Sequence, residues 1–218
     1  MFIGHFALGF AAKKAEPKVS LGTYFLAVQW ADLLWPTLLL FNVETVEISP
    51  GITRMTPLDF TSYPVSHSLL MMAVWGAVLG GVYFLFKKNI RGAAIIGIAV
   101  VSHWILDFIT HRPDLPLYPG GTARVGLGLW NSFWGTIITE FALYAFCVWL
   151  YLSQTKANNK QGVWAFWSLV IFLLLIHVMN ITGPPPPNVI AIAWAGHLQW
   201  LFVAWGYWID NNRTDLES

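Results

Sequence analysis

The stretch "SHWILDFITHR", residues 102–112, decides how this chain is read. It has the apolar content of a buried or membrane helix, yet it carries His103, Asp107 and His111. A spacing of four residues stacks these three on one helical face, rising about 6 Å per step. Ionisable groups are costly inside lipid, and where they occur they face cavities and mark function.

The rest of the chain supports the membrane setting. Of 218 residues, 56% are hydrophobic and only 11% are charged, whereas a soluble domain carries about 25% charge. A net charge of +1 implies no nucleic-acid partner. The single cysteine, Cys147, lies in an apolar run and reads as packing filler. The opening "MFIGHFALGFAAKK" has its lysines after the apolar run, not before it, so it does not read as a signal peptide.

A bilayer-spanning helix needs about 20 apolar residues. Six segments qualify, at about 20–42, 66–86, 92–111, 131–153, 162–181 and 189–209, preceded by a short apolar segment at 2–12 that reaches half a membrane. The expected fold is all-α: a polytopic membrane helical bundle of six spans plus an N-terminal half-membrane helix, forming one domain over 1–218. Residues 1–153 would carry the site, and 162–209 would add two further helices. Pro36 is expected to kink the first span, and "GPPPP" at 183–187 to form a stiff turn.

Lys13, Lys14, Lys18, Lys87, Lys88, Arg91, Lys156, Lys160 and Arg213 fall in alternate connections. The positive-inside rule makes that side cytoplasmic, with both termini there. The connections 43–65 and 112–130 then face outward and offer the only room for a lid.

Counting about 1.5 Å per residue from the basic ends gives depths for the intramembrane polar groups. His5, Asp32, His103, Asp107 and Glu140 gather between midplane and outer leaflet, with His67 and His111 just above them. These are neutral nitrogen and anionic oxygen donors, which zinc or a similar divalent ion accepts. A cation also offsets carboxylate charge in a low-dielectric setting. Seven donors exceed one tetrahedral site and would suit two ions about 3.5–4 Å apart, able to activate water and grip a phosphoryl oxygen. Arg112 follows His111 and is placed to pair with a substrate phosphate or a lipid head group. His177 and His197 offer no partner at ligand spacing and read as structural. Asp59 and Asp114 read as solvated loop charges.

The motifs "IGHFALGF" (3–10), "WADLLWP" (30–36), "YPVSHSLL" (63–70) and "SHWILDFITHRPDLPLYPG" (102–120) stand in an order that resembles the bacterial inner-membrane metal-dependent hydrolases, the LexA-regulated type and its relatives, over roughly residues 1–150. More distantly the order is similar to zinc-dependent phospholipase C and the related single-strand nucleases, helical proteins with zinc held by His, Asp and Glu. Their His-x-x-x-Asp matches His103 and Asp107, and a later acidic ligand corresponds to Glu140. Their His-x-x-x-Glu is absent, since Thr136 stands four residues before Glu140. The resemblance therefore implies one or two ions rather than three.

The expectation from residues and resemblance together is an integral-membrane hydrolase of phosphoester bonds in a membrane lipid or polyprenyl-phosphate-like substrate. His5, Asp32, His67, His103, Asp107 and His111 would hold the metal. Glu140 and Arg112 would act on water and substrate, and the site would open to the outer side of the bacterial inner membrane. Two rivals from other classes are an ion, metal or proton pathway and a structural membrane protein stapled by a closed metal site.

Overall fold

The computed structural model describes residues 1–216. The helices are α1 (Ile3–Ala15), α2 (Leu21–Val28), α3 (Trp30–Leu40), α4 (Pro64–His67), α5 (Leu69–Lys87), α6 (Ile90–Thr110), α7 (Phe133–Gln154), α8 (Lys160–Thr182), α9 (Val189–His197) and α10 (Gln199–Asp210). Counting α9 and α10 as one rod, Val189–Asp210, five helices are long and apolar enough to cross a membrane. The bundle is all-α, as its apolar runs dictate.

Four of the long helices, and α9, start on the same device. Ser68, Asn89, Ser132, Asn159 and Asn188 each accept a hydrogen bond from a backbone N–H three residues on. These side chains satisfy donors that lipid cannot solvate. Between α5 and α6 the chain reverses through Lys88 in the left-handed region at φ +52. The proline run ends α8 at Thr182.

The expected span 20–42 is a rod in two pieces. α2 and α3 are separated by Gln29, whose φ of −104 and ψ of 6 leave the helical basin. The interruption lies at Gln29 and not at Pro36, which stays within α3. The carbonyl of Val28, which a continuous helix would commit to its own ladder, instead accepts from Nδ1 of His103 at 2.7 Å. The last rod carries a matching interruption at Leu198, between α9 and α10. The two broken rods lie side by side, α2 against α10 and α3 against α9. At the first contact, a Cβ on Gly206 would stand 2.9 Å from the Cα of Gly22. At the second, Thr37 Oγ1 meets His197 Nε2 at 3.1 Å. Small residues allow the same closeness between α5 and α6, where a Cβ on Gly76 would come 2.8 Å from the carbonyl oxygen of Gly97.

The half-membrane helix α1 is enclosed by the bundle. Ile3, Phe6, Ala7 and Phe10 are fully buried, and the Phe10 ring meets Phe25, Tyr151 and Phe166 edge-on with centroids 5.1, 5.4 and 5.8 Å away. Its basic end is tied down by Lys13, whose Nζ lies 3.1 Å from Asp210.

Outside the helices lie two short antiparallel hairpins and one long-range strand pair that the apolar pattern does not announce. β1 (Thr45–Ile48) pairs with β2 (Leu58–Ser62), and β3 (Leu115–Pro116) with β4 (Arg124–Val125). β5 (Thr155–Ala157) pairs with β6 (Arg213–Asp215) at the other end of the molecule. The β1–β2 and β3–β4 connections are joined by Arg54 N–H donating to Trp130 O at 3.1 Å. They cover the end of the bundle where α3, α4 and α6 meet.

Candidate metal centre

α6 is the most enclosed of the long helices, and its inward face carries the centre. His103 and Asp107 lie one turn apart and are almost fully buried. α1 brings His5, α3 brings Asp32 and α4 brings His67. His5 Nε2 is 3.1 Å from Asp107 Oδ1, and its ring stacks on that of His103 with centroids 3.6 Å apart. His103 Nε2 is 3.2 Å from Asp107 Oδ2 and 3.8 Å from Asp32 Oδ1. His67 Nε2 is 3.4 Å from Asp32 Oδ1 and 3.9 Å from Asp107 Oδ2. Two triads of donor atoms result, His5–His103–Asp107 and Asp32–His67–His103, sharing His103; within each, the donor atoms all lie within 4.8 Å of one another. Asp32 is the most open member, with its side chain 24% exposed.

Hydrogen bonds behind the rings decide which nitrogens face inward. His103 Nδ1 donates to the Val28 carbonyl, so its Nε2 presents a lone pair. Ser66 Oγ gives its proton to Glu44 Oε2 at 2.5 Å, and therefore accepts from His67 Nδ1 at 2.6 Å. The Nε2 of His67 is then a lone pair as well. Glu44 is itself fixed by the backbone N–H groups of Val65 and Ser66, at 2.7 and 2.9 Å. Backing of imidazoles by a carbonyl, or here by a hydroxyl held on a carboxylate, is the kind of arrangement that orients metal-binding histidines. Glu44 lies in the outward connection 43–65, yet it is 1% exposed. The visible signal for Ser66 was its position beside His67; nothing in the sequence connected Glu44 to either.

His111 stands at the outer edge. Its Nδ1 is 3.0 Å from Asp114 Oδ1, and its Nε2 is 3.9 Å from Asp107 Oδ1. The ring is packed against Trp130 and Phe60, at centroid distances of 4.2 and 4.8 Å. Asp114 also accepts from the Tyr63 hydroxyl at 2.7 Å. Burial, and then the Asp114 charge, push the Tyr63 phenol well above its ordinary range. The reading of Asp59 and Asp114 as solvated charges is corrected here. Asp114 is buried, and Arg112 binds it through Nε at 3.2 Å while its Nη2 grips Asp59.

Glu140 lies at the start of α1. Its Oε2 accepts from the backbone N–H of Phe2 at 3.1 Å and of Gly4 at 3.5 Å, where the helix dipole favours an anion. His177 Nδ1 lies 4.0 Å from the same oxygen. His197 sits between Thr37 and its own helix, with Nδ1 2.8 Å from Ala193 O.

The donors fit a cation. His5 Nδ1 and His103 Nε2 are buried without hydrogen-bond partners, and the latter faces two carboxylate oxygens, Asp107 Oδ2 at 3.2 Å and Asp32 Oδ1 at 3.8 Å, without a hydrogen bond to either. Lone pairs aimed at buried anions repel unless positive charge stands between them. The Met1 ammonium is drawn to Asp107 Oδ1 at 2.8 Å.

No curated protein and no solved structure matches the chain. The family model described as YdjM inner membrane protein matches residues 59–183, more than half of the chain, including Tyr63, His67, His103, Asp107, His111 and Glu140. With its long apolar helices, the chain thus belongs to the YdjM inner membrane protein family and is a multi-pass protein of the bacterial inner membrane.

Proposed function

We propose that this chain is an integral-membrane, divalent-cation-dependent hydrolase of phosphoesters in lipid-like substrates. The observation that carries the reading is the orientation of His67 and His103: each has Nδ1 engaged behind it and Nε2 aimed at the Asp32–Asp107 pair. The nitrogen and carboxylate set suits zinc. His5, Asp32, His67, His103 and Asp107 would hold the ion or ions, with His111 at the outer edge. A divalent cation bound there supplies Lewis acidity, lowering the pKa of water and neutralising charge on a phosphoryl oxygen.

The chain's own residues supply the rest. Asp32, the open member, marks where substrate meets the site. Arg112, steered by Asp59 and Asp114, has Nη1 donors left to bind a phosphate. Glu140 fixes the first turn of α1 and with it the ring of His5. We place the basic end, with Lys13, Lys87, Lys156 and Arg213, in the cytoplasm, so that the hairpin-covered end and the site face outward. The phosphoester class rests on the motif resemblance to phospholipase C-like enzymes.

A structural ion is the second reading, favoured by the burial of His5, His103 and Asp107 to 2% exposure or less. Zinc content and cleavage of a short-chain phospholipid, read as release of its phosphorylated head group, measured on purified protein with and without chelator and on His103→Ala, separate the two. Hydrolysis lost with chelator and with the variant supports the enzyme. Bound zinc without any release supports the structural ion, and release indifferent to both treatments refutes the hydrolase.

A further inference from the structure

At the end of the molecule away from the metal centre, a cavity of about 480 Å³ opens between α2, α5, α6 and α10. Leu26, Leu79 and Val82 line its apolar wall, and Lys18 and Lys87 stand at its edge. Both lysines are exposed, and among the described residues neither ammonium has an ion-pair or hydrogen-bond partner. Their neighbours differ: Lys13 is spent on Asp210, and Arg91 lies 3.6 Å from Glu16. Ser20 also lines the cavity, and its Oγ is buried with no hydrogen-bond partner. Free positive charge and an unused hydroxyl therefore meet at the mouth of a greasy slot, at the level where α5 ends. A second groove, about 600 Å³ between α5 and α6, is lined by small and apolar side chains with no charge to select a head group.

We propose that the Lys18–Lys87 cavity binds one anionic phospholipid, with its phosphate between the two lysines and an acyl chain along Leu26, Leu79 and Val82. The chemistry discriminates among occupants. A zwitterionic head group brings its own cation to two lysines, and a free phosphate leaves the apolar wall empty. Basic pockets at the cytoplasmic ends of membrane helices attract anionic lipid in this way.

The test is native mass spectrometry of the full chain in detergent, titrated with phosphatidylglycerol and with phosphatidylcholine of the same acyl chains. Wild type should retain phosphatidylglycerol preferentially, with one molecule held most tightly. Each lysine near an anionic head group is worth about fivefold in affinity, so Lys18→Gln/Lys87→Gln should weaken retention about 25-fold. Lys156→Gln/Lys160→Gln removes equal charge at the same end of the molecule but outside the cavity, and should change retention little. Equal retention of the two lipids, or an equal loss in the two double variants, would overturn the proposal. So would displacement of the lipid by millimolar inorganic phosphate, which would assign the site to a free anion.

Discussion

Replacing Ser66 with alanine tests the centre without touching a donor. Ser66 Oγ lies 2.6 Å from His67 Nδ1 and 2.5 Å from Glu44 Oε2, and so transmits a fixed carboxylate to a buried imidazole. Without it, the His67 N–H loses its acceptor, and the ring can rotate or exchange tautomers. Loss of such a backing group typically weakens metal binding 10–100-fold, or about 1.4–2.8 kcal/mol. Glu44 keeps its two backbone donors through Oε1, so the loop retains its anchor. The stranded Oε2 costs stability about 1–3 kcal/mol. The assay is competition for zinc between protein in nanodiscs and a chromophoric chelator. Ser102→Ala is the control, because that hydroxyl donates only to Ala99 O on its own helix. Zinc affinity of Ser66→Ala within about twofold of wild type would refute the account of His67 as a backed lone-pair donor.

Asp107 lies within 4 Å of a ring nitrogen from His5, His67, His103 and His111. Asp107→Asn should therefore exceed the Ser66 effect, lowering zinc affinity by more than about 100-fold, as elemental analysis after dialysis will read. Gly76→Ala places a Cβ 2.8 Å from the Gly97 carbonyl oxygen, whereas Gly81→Ala meets nothing within 4 Å. The first should lower stability by about 1–3 kcal/mol in thermal unfolding, and the second should raise it by up to about 1 kcal/mol. The raised Tyr63 phenol stays protonated in the fold at pH values where an unfolded tyrosine ionises. It thus contributes stability that is complete below about pH 10 and declines as pH rises beyond it. Tyr63→Phe should flatten that alkaline decline in a pH series of unfolding midpoints.

Much of this was legible in the chain. Apolar runs located the long helices to within a few residues, and counting from the basic ends brought His5, Asp32, His103, Asp107 and Glu140 to a common depth, with His67 and His111 just above. What stayed hidden depends on tertiary contact. Gln29 interrupts a rod whose sequence is continuous in hydropathy, and the Val28 carbonyl it releases is used by a histidine 75 residues away. Asp114 reads as a loop charge, and Glu44 carries no signal of its role, because burial in a connection leaves no periodic trace. The strands are two to five residues long, too short for alternation to register. Glu140 was visible as an intramembrane acid, but its engagement with the first turn of α1 was not.

The joint at Gln29 divides responsibility for the centre. On one side, Val28 holds His103 from the last residue of α2. On the other, Asp32 rides on α3, whose seat is α9, with Pro36 pressed against Gly196 and Thr37 against His197. The separation between Asp32 and the α6 histidine is thus governed by a helix that contributes no donor and lies beyond the family-matched segment. A shift of α9 by one ångström would retune the spacing of the two triads while every donor stayed in its own helix. The C-terminal rod is in that sense a calibrating strut, and divergence within it would alter the centre without altering its ingredients.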